Sequence, residues 1–220
     1  PLVGSIVIVT GRPADVAVTY GSLDSIGGIA VLGQYGLDRW EGGRHTSPQP
    51  PPGVQTVREE LPGLIERVGA PEGTWIEDKG HALAVHTRRT PEPDSALDLL
   101  RSPLDALAER TGLSVEPGRM VIELRPRGMD KGTALTDFVT DRGGSVVLYA
   151  GDDLGDLAAF DAVENLREQG VPGITVCSGS TEVTALAERA DLVVDGPEGI
   201  ADLLADLRHA LITPSGPPSS

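Results

Sequence analysis

The segment Gly151-Asp152-Asp153-Leu154-Gly155-Asp156 follows directly on the apolar run Val146-Val147-Leu148-Tyr149-Ala150. That run reads as a buried strand, and in an open parallel sheet ligands bind at the carboxyl ends of the strands. Three carboxylates so close together repel one another unless a cation sits among them. Hard oxygen donors in that number suit Mg²⁺, with waters and a substrate phosphate completing its shell. An Asp-rich turn that caps the following helix accounts for the same residues. Met129-Asp130-Lys131-Gly132-Thr133 sets Lys131 at the opening of a helix, beside free backbone N–H groups that favour a phosphate; a surface lysine is the plainer reading. Thr10-Gly11-Arg12 ends the first strand. A hydroxyl there, with the next helix N-terminus, can hold one phosphoryl oxygen or simply form a turn into the helix. Glu77-Asp78-Lys79, His86, Arg88, Glu123 and Arg125 fall on strands or strand ends. Such a set can read sugar hydroxyls through paired donors and acceptors, or can be the solvated face of a small sheet.

Other chemistries fit poorly. His45, His81, His86 and His209 show no zinc spacing, and neither a P-loop nor a G-x-S-x-G elbow is present. Cys177 lies in a buried strand pattern and reads as a packing residue.

The elements that would position these groups are of two kinds. Ser5–Val9 and Ile29–Leu32 are apolar, β-branched strands around a short helix from Ala14, with Pro13 favourable at its start. A polar stretch follows, with Pro48, Pro50, Pro51, Pro52 and Gly53 as a linker or exposed loop. Val54–Val68 predicts an amphipathic helix despite Pro62-Gly63. Trp75–Asp78 and Ala82–His86 predict a hairpin, Ser95–Thr111 a helix, and Leu113–Glu116 with Val121–Leu124 a further strand pair, together an α+β pattern. From Lys131 the pattern alternates strictly. Helices are expected at Lys131–Arg142, Leu157–Gln169, Thr181–Arg189 and Pro197–Leu211, and strands at Ser145–Ala150, Ile174–Cys177 and Leu192–Val194. Alternation with buried strands predicts a parallel sheet covered on both faces. The fold class is therefore α/β, a Rossmann-like core interrupted by an α+β insertion, with the Ser5–Val9 strand expected in the same sheet as the C-terminal alternation.

Composition narrows the partners. The 220 residues carry a net charge of −15, so nucleic acid and the anionic face of a membrane are disfavoured. An anionic substrate requires a metal ion or local Lys/Arg to reverse the field at its site. Aromatics make up 3%, which leaves the core to Val, Leu, Ile and Ala. A single cysteine excludes an internal disulfide and suits a reducing, cytoplasmic setting. No apolar run is long enough to span a bilayer. The chain opens on Pro1, not Met, with no signal peptide, and is read as cut from a longer protein.

Taken together, the segments resemble the haloacid dehalogenase superfamily and, within it, the trehalose-6-phosphate phosphatases. The resemblance rests on Val7-Ile8-Val9-Thr10-Gly11-Arg12, Gly33-Gln34-Tyr35-Gly36-Leu37, Glu77-Asp78-Lys79-Gly80 with Ala84-Val85-His86-Thr87-Arg88, Glu123-Leu124-Arg125-Pro126, Asp130-Lys131-Gly132-Thr133-Ala134-Leu135, and Gly151-Asp152-Asp153 through Phe160, in family order. It implies a core formed by residues 1–40 and 125–212 and a mobile α+β cap at 41–124; the Pro/Ser-rich tail at 213–220 reads as disordered from its composition. It implies Mg²⁺-dependent hydrolysis of trehalose 6-phosphate to trehalose and phosphate through an aspartyl-phosphate. Thr10 would hydrogen-bond the phosphoryl group and Lys131 neutralise it. Asp152 would ligate Mg²⁺, with Asp153 or Asp156 holding ligand or water. Glu77, Lys79 and Glu123 would contact glucosyl hydroxyls, and Arg12 and Arg125 would bind substrate near the cleft between core and cap. A trehalose-6-phosphate synthase is the implied protein partner.

One departure matters most. The family's Asp-x-Asp-Gly-Thr motif, which supplies nucleophile and general acid/base, has no match in the 220 residues. The chain is expected to be a fragment of an active enzyme with little turnover of its own, since removing a covalent nucleophile removes the defining step. The alternatives are a catalytically silent domain that regulates or scaffolds a trehalose synthase, and a phosphatase for another sugar phosphate such as sucrose 6-phosphate. A lesser departure is Gly155-Asp156-Leu157, where the family often has Thr-Asp-Glu.

Overall fold

Apolar residues at helical spacing in two segments, Val54/Val57/Leu61/Leu64 and Leu97/Leu100/Leu104/Leu107, each define one buried stripe. In the computed structural model, which describes residues 2–179 and 184–213, these stripes belong to α2 (Pro52–Arg67) and α3 (Pro93–Thr111). Both pack on one face of an antiparallel sheet made of β5 (Trp75–Asp78), β6 (Leu83–His86), β7 (Leu113–Gly118) and β8 (Val121–Pro126), in the order β5-β6-β8-β7. Leu83, Val85, Ile122 and Leu124 supply the sheet side of that core. Side chains alternate across a strand, so the opposite face carries Trp75, Glu77, His86, Glu123 and Arg125. This sheet and its helices form most of one compact unit, Thr10–Ser25 with Val31–Met129.

The same unit holds α1 (Ala14–Gly21) and a hairpin of β3 (Asp38–Glu41) and β4 (Arg44–Thr46). The hairpin corrects the expectation of a polar stretch without strands. Its turn is Gly42-Gly43, both with positive φ (56° and 77°), the conformation that a two-residue hairpin turn requires. Asp38 is buried, and its Oδ2 accepts a 2.7 Å bond from the Ala14 N–H at the start of α1 while Oδ1 meets His45 Nε2. The carboxylate thus caps a helix that begins 24 residues upstream.

The other unit comprises Pro1–Val9, Ile26–Ala30 and Asp130–Ser220. Its sheet is β9 (Val147–Gly151), β10 (Gly173–Gly179) and β11 (Leu192–Asp195), ordered β11-β10-β9 and parallel throughout. The alternating pattern from Lys131 therefore folds as expected, with α4 (Lys131–Arg142) before the strands, α5 (Leu157–Glu168) and α6 (Thr184–Ala187) between them and α7 (Gly196–Ile212) after them. Leu135, Val139, Tyr149, Phe160, Val163 and Cys177 form the core on one face. Gly199 of α7 lies against Val194, which points to the other. Of the helix expected at Thr181–Arg189, residues 181–183 lie outside the described residues, as does the expected tail at 213–220 apart from Thr213.

The N-terminal strand departs from expectation. β1 (Ile6–Val9) belongs to a separate sheet with β2 (Ile29–Gly33), ordered β1-β2-β3-β4, and not to the β9–β11 sheet. Val9 nevertheless packs against the core under β9. Apolar character makes a strand, here one that is only partly buried, but the choice of hydrogen-bonding neighbour depends on which edge the connecting chain brings alongside, and here that is the early return through β2. β1 and β9 are both end strands. Among the described residues, no helix is long and apolar enough to cross a membrane.

Candidate functional site

Asp156 is the organiser of the acidic loop. It is 2% exposed and lies in a short 3₁₀ turn, Leu154–Asp156, between β9 and α5. Its Oδ2 accepts from the backbone N–H groups of Asp152 (3.0 Å) and Asp153 (3.1 Å). Its Oδ1 accepts from the Tyr149 hydroxyl (2.6 Å) and from Lys131 Nζ (2.8 Å). Asp153 returns the bond to the Asp156 N–H, so the pair forms a capping box. Gly151 makes this fold possible: a Cβ there would come within 2.5 Å of the Asp156 side chain. The capping and metal readings of the sequence are thus compatible. Asp153 and Asp156 cap, while Asp152 and Asp153 stay exposed.

Lys131 is the first residue of α4, whose N-cap Asp130 accepts a 2.8 Å bond from the Thr133 N–H. Its ammonium reaches Asp156 and, at 3.2 Å, Asp153 Oδ1. Burial works against the Lys131 charge, but the Asp156 and Asp153 carboxylates outweigh it and hold its pKa above the usual lysine value. Burial likewise pushes Asp156 upward, yet Lys131, Tyr149 and the Asp153 N–H prevail and keep it below the usual carboxylate range. Tyr149, buried and facing the Asp156 charge, is pushed far up and stays a donor. One carboxylate oxygen from each of Asp152, Asp153 and Asp156 lies within 4.8 Å of the others. An all-oxygen, threefold anionic set with two members open to solvent fits Mg²⁺.

The second unit presents a polar sheet face. Along one cross-strand row stand Glu77 (β5), Ala84 (β6), Glu123 (β8) and Glu116 (β7). Lys79 Nζ bonds Glu123 Oε2, and both groups are largely buried. Glu77 Oε2 accepts from His86 Nε2 at 2.8 Å. Arg125 pairs with Glu116 (2.6 Å) and lies 4.5 Å from the centre of the Tyr35 ring. Gln34 and Tyr35 have positive φ (47° and 58°), unusual for residues with a Cβ, and the buried Gln34 side chain accepts a bond from the His81 N–H (3.0 Å). Thr10 Oγ1 accepts from the Arg12 N–H at 3.2 Å, and the exposed Arg12 lies 5.8 Å from the Tyr20 ring centre.

Of the ten residues predicted from sequence, four (Lys131, Asp152, Asp153, Asp156) meet in one unit; Thr10, Arg12, Glu77, Lys79, Glu123 and Arg125 belong to the other. Tyr149 was not among them. Its signal was a hydroxyl-bearing ring within an apolar strand, two residues before Gly151.

The parallel α/β unit with an acidic loop at a strand end, interrupted by an α+β insertion, is a fold shared with haloacid dehalogenase-like hydrolases. A haloacid dehalogenase-like hydrolase from Bacteroides thetaiotaomicron superposes with a TM-score of 0.59 at 15% identity, covering 91% of this chain and 85% of that one. A trehalose-6-phosphate phosphatase related protein gives 0.65 at 23% identity, covering 94% and 80%. The chain belongs to the trehalose-phosphatase family, whose sequence model matches residues 3–194. It is 29% identical to a trehalose-phosphate phosphatase of Mycobacterium marinum, over 94% of this chain and 53% of that protein. The trehalose-6-phosphate phosphatase of Escherichia coli is 30% identical over 51% of this chain and 41% of that protein. The chain spans about half the length of the curated relatives it matches.

Proposed function

We propose that these residues are part of a Mg²⁺-dependent, cytoplasmic phosphatase that hydrolyses trehalose 6-phosphate to trehalose and phosphate. The observation that carries the reading is Lys131, held at the N-terminus of α4 by Asp153 and Asp156 within a chain matched to the family over residues 3–194. An ammonium, a helix N-terminus and a divalent ion together reverse the field of a protein with net charge −15 where a phosphate must bind. Asp152 would ligate Mg²⁺, with Asp153 or Asp156 holding ligand or water. The ion supplies positive charge to the phosphoryl oxygens. Lys131 neutralises the same oxygens from the protein side, and Thr10 hydrogen-bonds them. Residues 41–124 act as the cap. Glu77, Lys79 and Glu123 accept from and donate to glucosyl hydroxyls, with Arg12 and Arg125 as further substrate contacts.

On this reading the aspartate nucleophile is supplied from outside these 220 residues, which contain no Asp-x-Asp-Gly-Thr. The end position of β1 and β9 in their sheets is consistent with a further strand. A second reading, a silent domain acting on a trehalose-6-phosphate synthase, is favoured by the same missing motif; the C-terminal domain of a Candida albicans trehalose synthase regulatory protein shares this fold, with a TM-score of 0.68 at 14% identity. Phosphate release by the longer protein, assayed with trehalose 6-phosphate, sucrose 6-phosphate and glucose 6-phosphate, separates the readings. Mg²⁺-dependent release from trehalose 6-phosphate alone is expected. Equal rates on all three reject the cap assignment, and none on any supports the silent domain.

A further inference from the structure

Beside the Lys79–Glu123 pair, the polar sheet face holds a second arrangement. Trp75 and His86 are directly opposed on β5 and β6, and their rings stack at 4.4 Å with planes 7° apart. The Arg89 guanidinium lies 4.4 Å from the Trp75 ring centre. Stacking fixes the plane of the imidazole, and in that plane Nε2 points at Glu77 Oε2, 2.8 Å away. An ionised carboxylate only accepts, so Nε2 carries the hydrogen. The Glu77 side chain is about half exposed, and no hydrogen bond to its second oxygen occurs among the described residues.

We infer that His86 is a positioning residue for Glu77, fixing its carboxylate so that the free oxygen faces a sugar hydroxyl. The inference rests on the reading of this face as the disaccharide site. A glutamate exposed at a sheet edge otherwise samples many rotamers, and ordering it on binding lowers affinity by roughly two- to tenfold. The stack on Trp75 and the bond from His86 order it beforehand. An exposed His–Glu pair adds little to folding stability, so the effect of His86 should register in sugar affinity and hardly in stability.

The test titrates trehalose into the ¹⁵N-labelled chain and follows amide shifts on β5, β6 and β8, with thermal unfolding measured in parallel. Lys79→Met probes the reading of the face itself and should weaken binding by about tenfold or more. His86→Phe keeps the ring stack but loses the donor. It should raise Kd about three- to tenfold with the melting temperature nearly unchanged, and His86→Gln, which restores a donor, should recover most of the loss. In a Glu77→Ala background, His86→Phe should add nothing, because no carboxylate remains to be positioned. If Lys79→Met loses binding while His86→Phe stays within about twofold of wild type, the inference fails and the reading stands. Additive losses from His86→Phe and Glu77→Ala also overturn it. If trehalose leaves the wild-type face unperturbed, the reading fails and the inference falls with it. Should His86→Phe not fold, His86→Asn, whose shorter side chain cannot reach Glu77, takes its place in the same cycle.

Discussion

Lys79, which follows β5, and Glu123 on β8 pair across β6, the strand between them, where Ala84 is the residue directly opposite Glu123. Strands two places apart are separated by about 9.5 Å. Two long side chains bridge that distance most readily where the intervening strand carries a small side chain, and Ala84, on the same sheet face as Glu123, is fully buried. Ala84→Leu should therefore force the pair apart and overpack the face, at a cost of about 1–3 kcal/mol. Urea unfolding reads the cost, and the trehalose titration reads the displaced pair. A variant as stable as wild type that still binds the sugar would show that Ala84 does not set the bridge.

The two partners should respond unequally to removal. Lys79→Met leaves the nearly buried Glu123 carboxylate without its cation and should cost about 2–3 kcal/mol. Glu123→Gln leaves an ammonium that can swing towards water and should cost about 1 kcal/mol. Denaturant midpoints for the two variants, compared side by side, check the order.

Tyr149→Phe removes one of the four donors that Asp156 accepts. A buried hydrogen bond to a charged group is worth about 1.5–3 kcal/mol. A loss of that size is expected in thermal or chemical unfolding, with the fold intact by circular dichroism.

Asp156 and Lys131 give stability a defined pH window. Asp156 is held below its ordinary value, so its contribution is present above the unfolded carboxylate pKa of about 3.9 and is lost as pH falls through the lower folded value. Lys131 is held above its ordinary value, so its contribution is present below about 10.4 and is lost as pH rises through the higher folded value. Asp156→Asn should cost about 3 kcal/mol near neutrality, and its deficit relative to wild type should shrink as pH falls below the unfolded carboxylate value of about 3.9. Urea melts from acid to neutral pH measure it; a deficit that grows on acidification contradicts the assignment.

Asp152 should separate metal binding from folding. Its carboxylate is exposed and accepts no hydrogen bond among the described residues. Asp152→Asn should lower Mg²⁺ affinity by roughly tenfold or more while changing stability by less than about 0.5 kcal/mol. Calorimetric Mg²⁺ titration with parallel unfolding curves checks both halves.

Most elements were legible because their causes are local. The stripe Leu97/Leu100/Leu104/Leu107, the Asp130 cap before Lys131 and the β-branched runs at Ile29 and Val147 each state an element within a dozen residues. The hairpin at Asp38–Thr46 was missed because its strands are polar, although Gly42-Gly43 marked the turn. Acidic residues gathered near Gly151 and charged residues on the insertion strands were likewise visible as candidates.

What the chain order alone determined was which segments become helix or strand, which faces are apolar, and that Lys131 and the three aspartates are chemically matched. Only the tertiary structure decided that β1 pairs with β2 and not with the parallel sheet, that Tyr149 and Lys131 share one oxygen of Asp156, and that Lys79 finds Glu123 across the intervening strand β6. Local propensity acts through neighbours three or four residues apart, whereas sheet partners and buried donors are selected by which distant surfaces fit together without leaving a polar group unpaired.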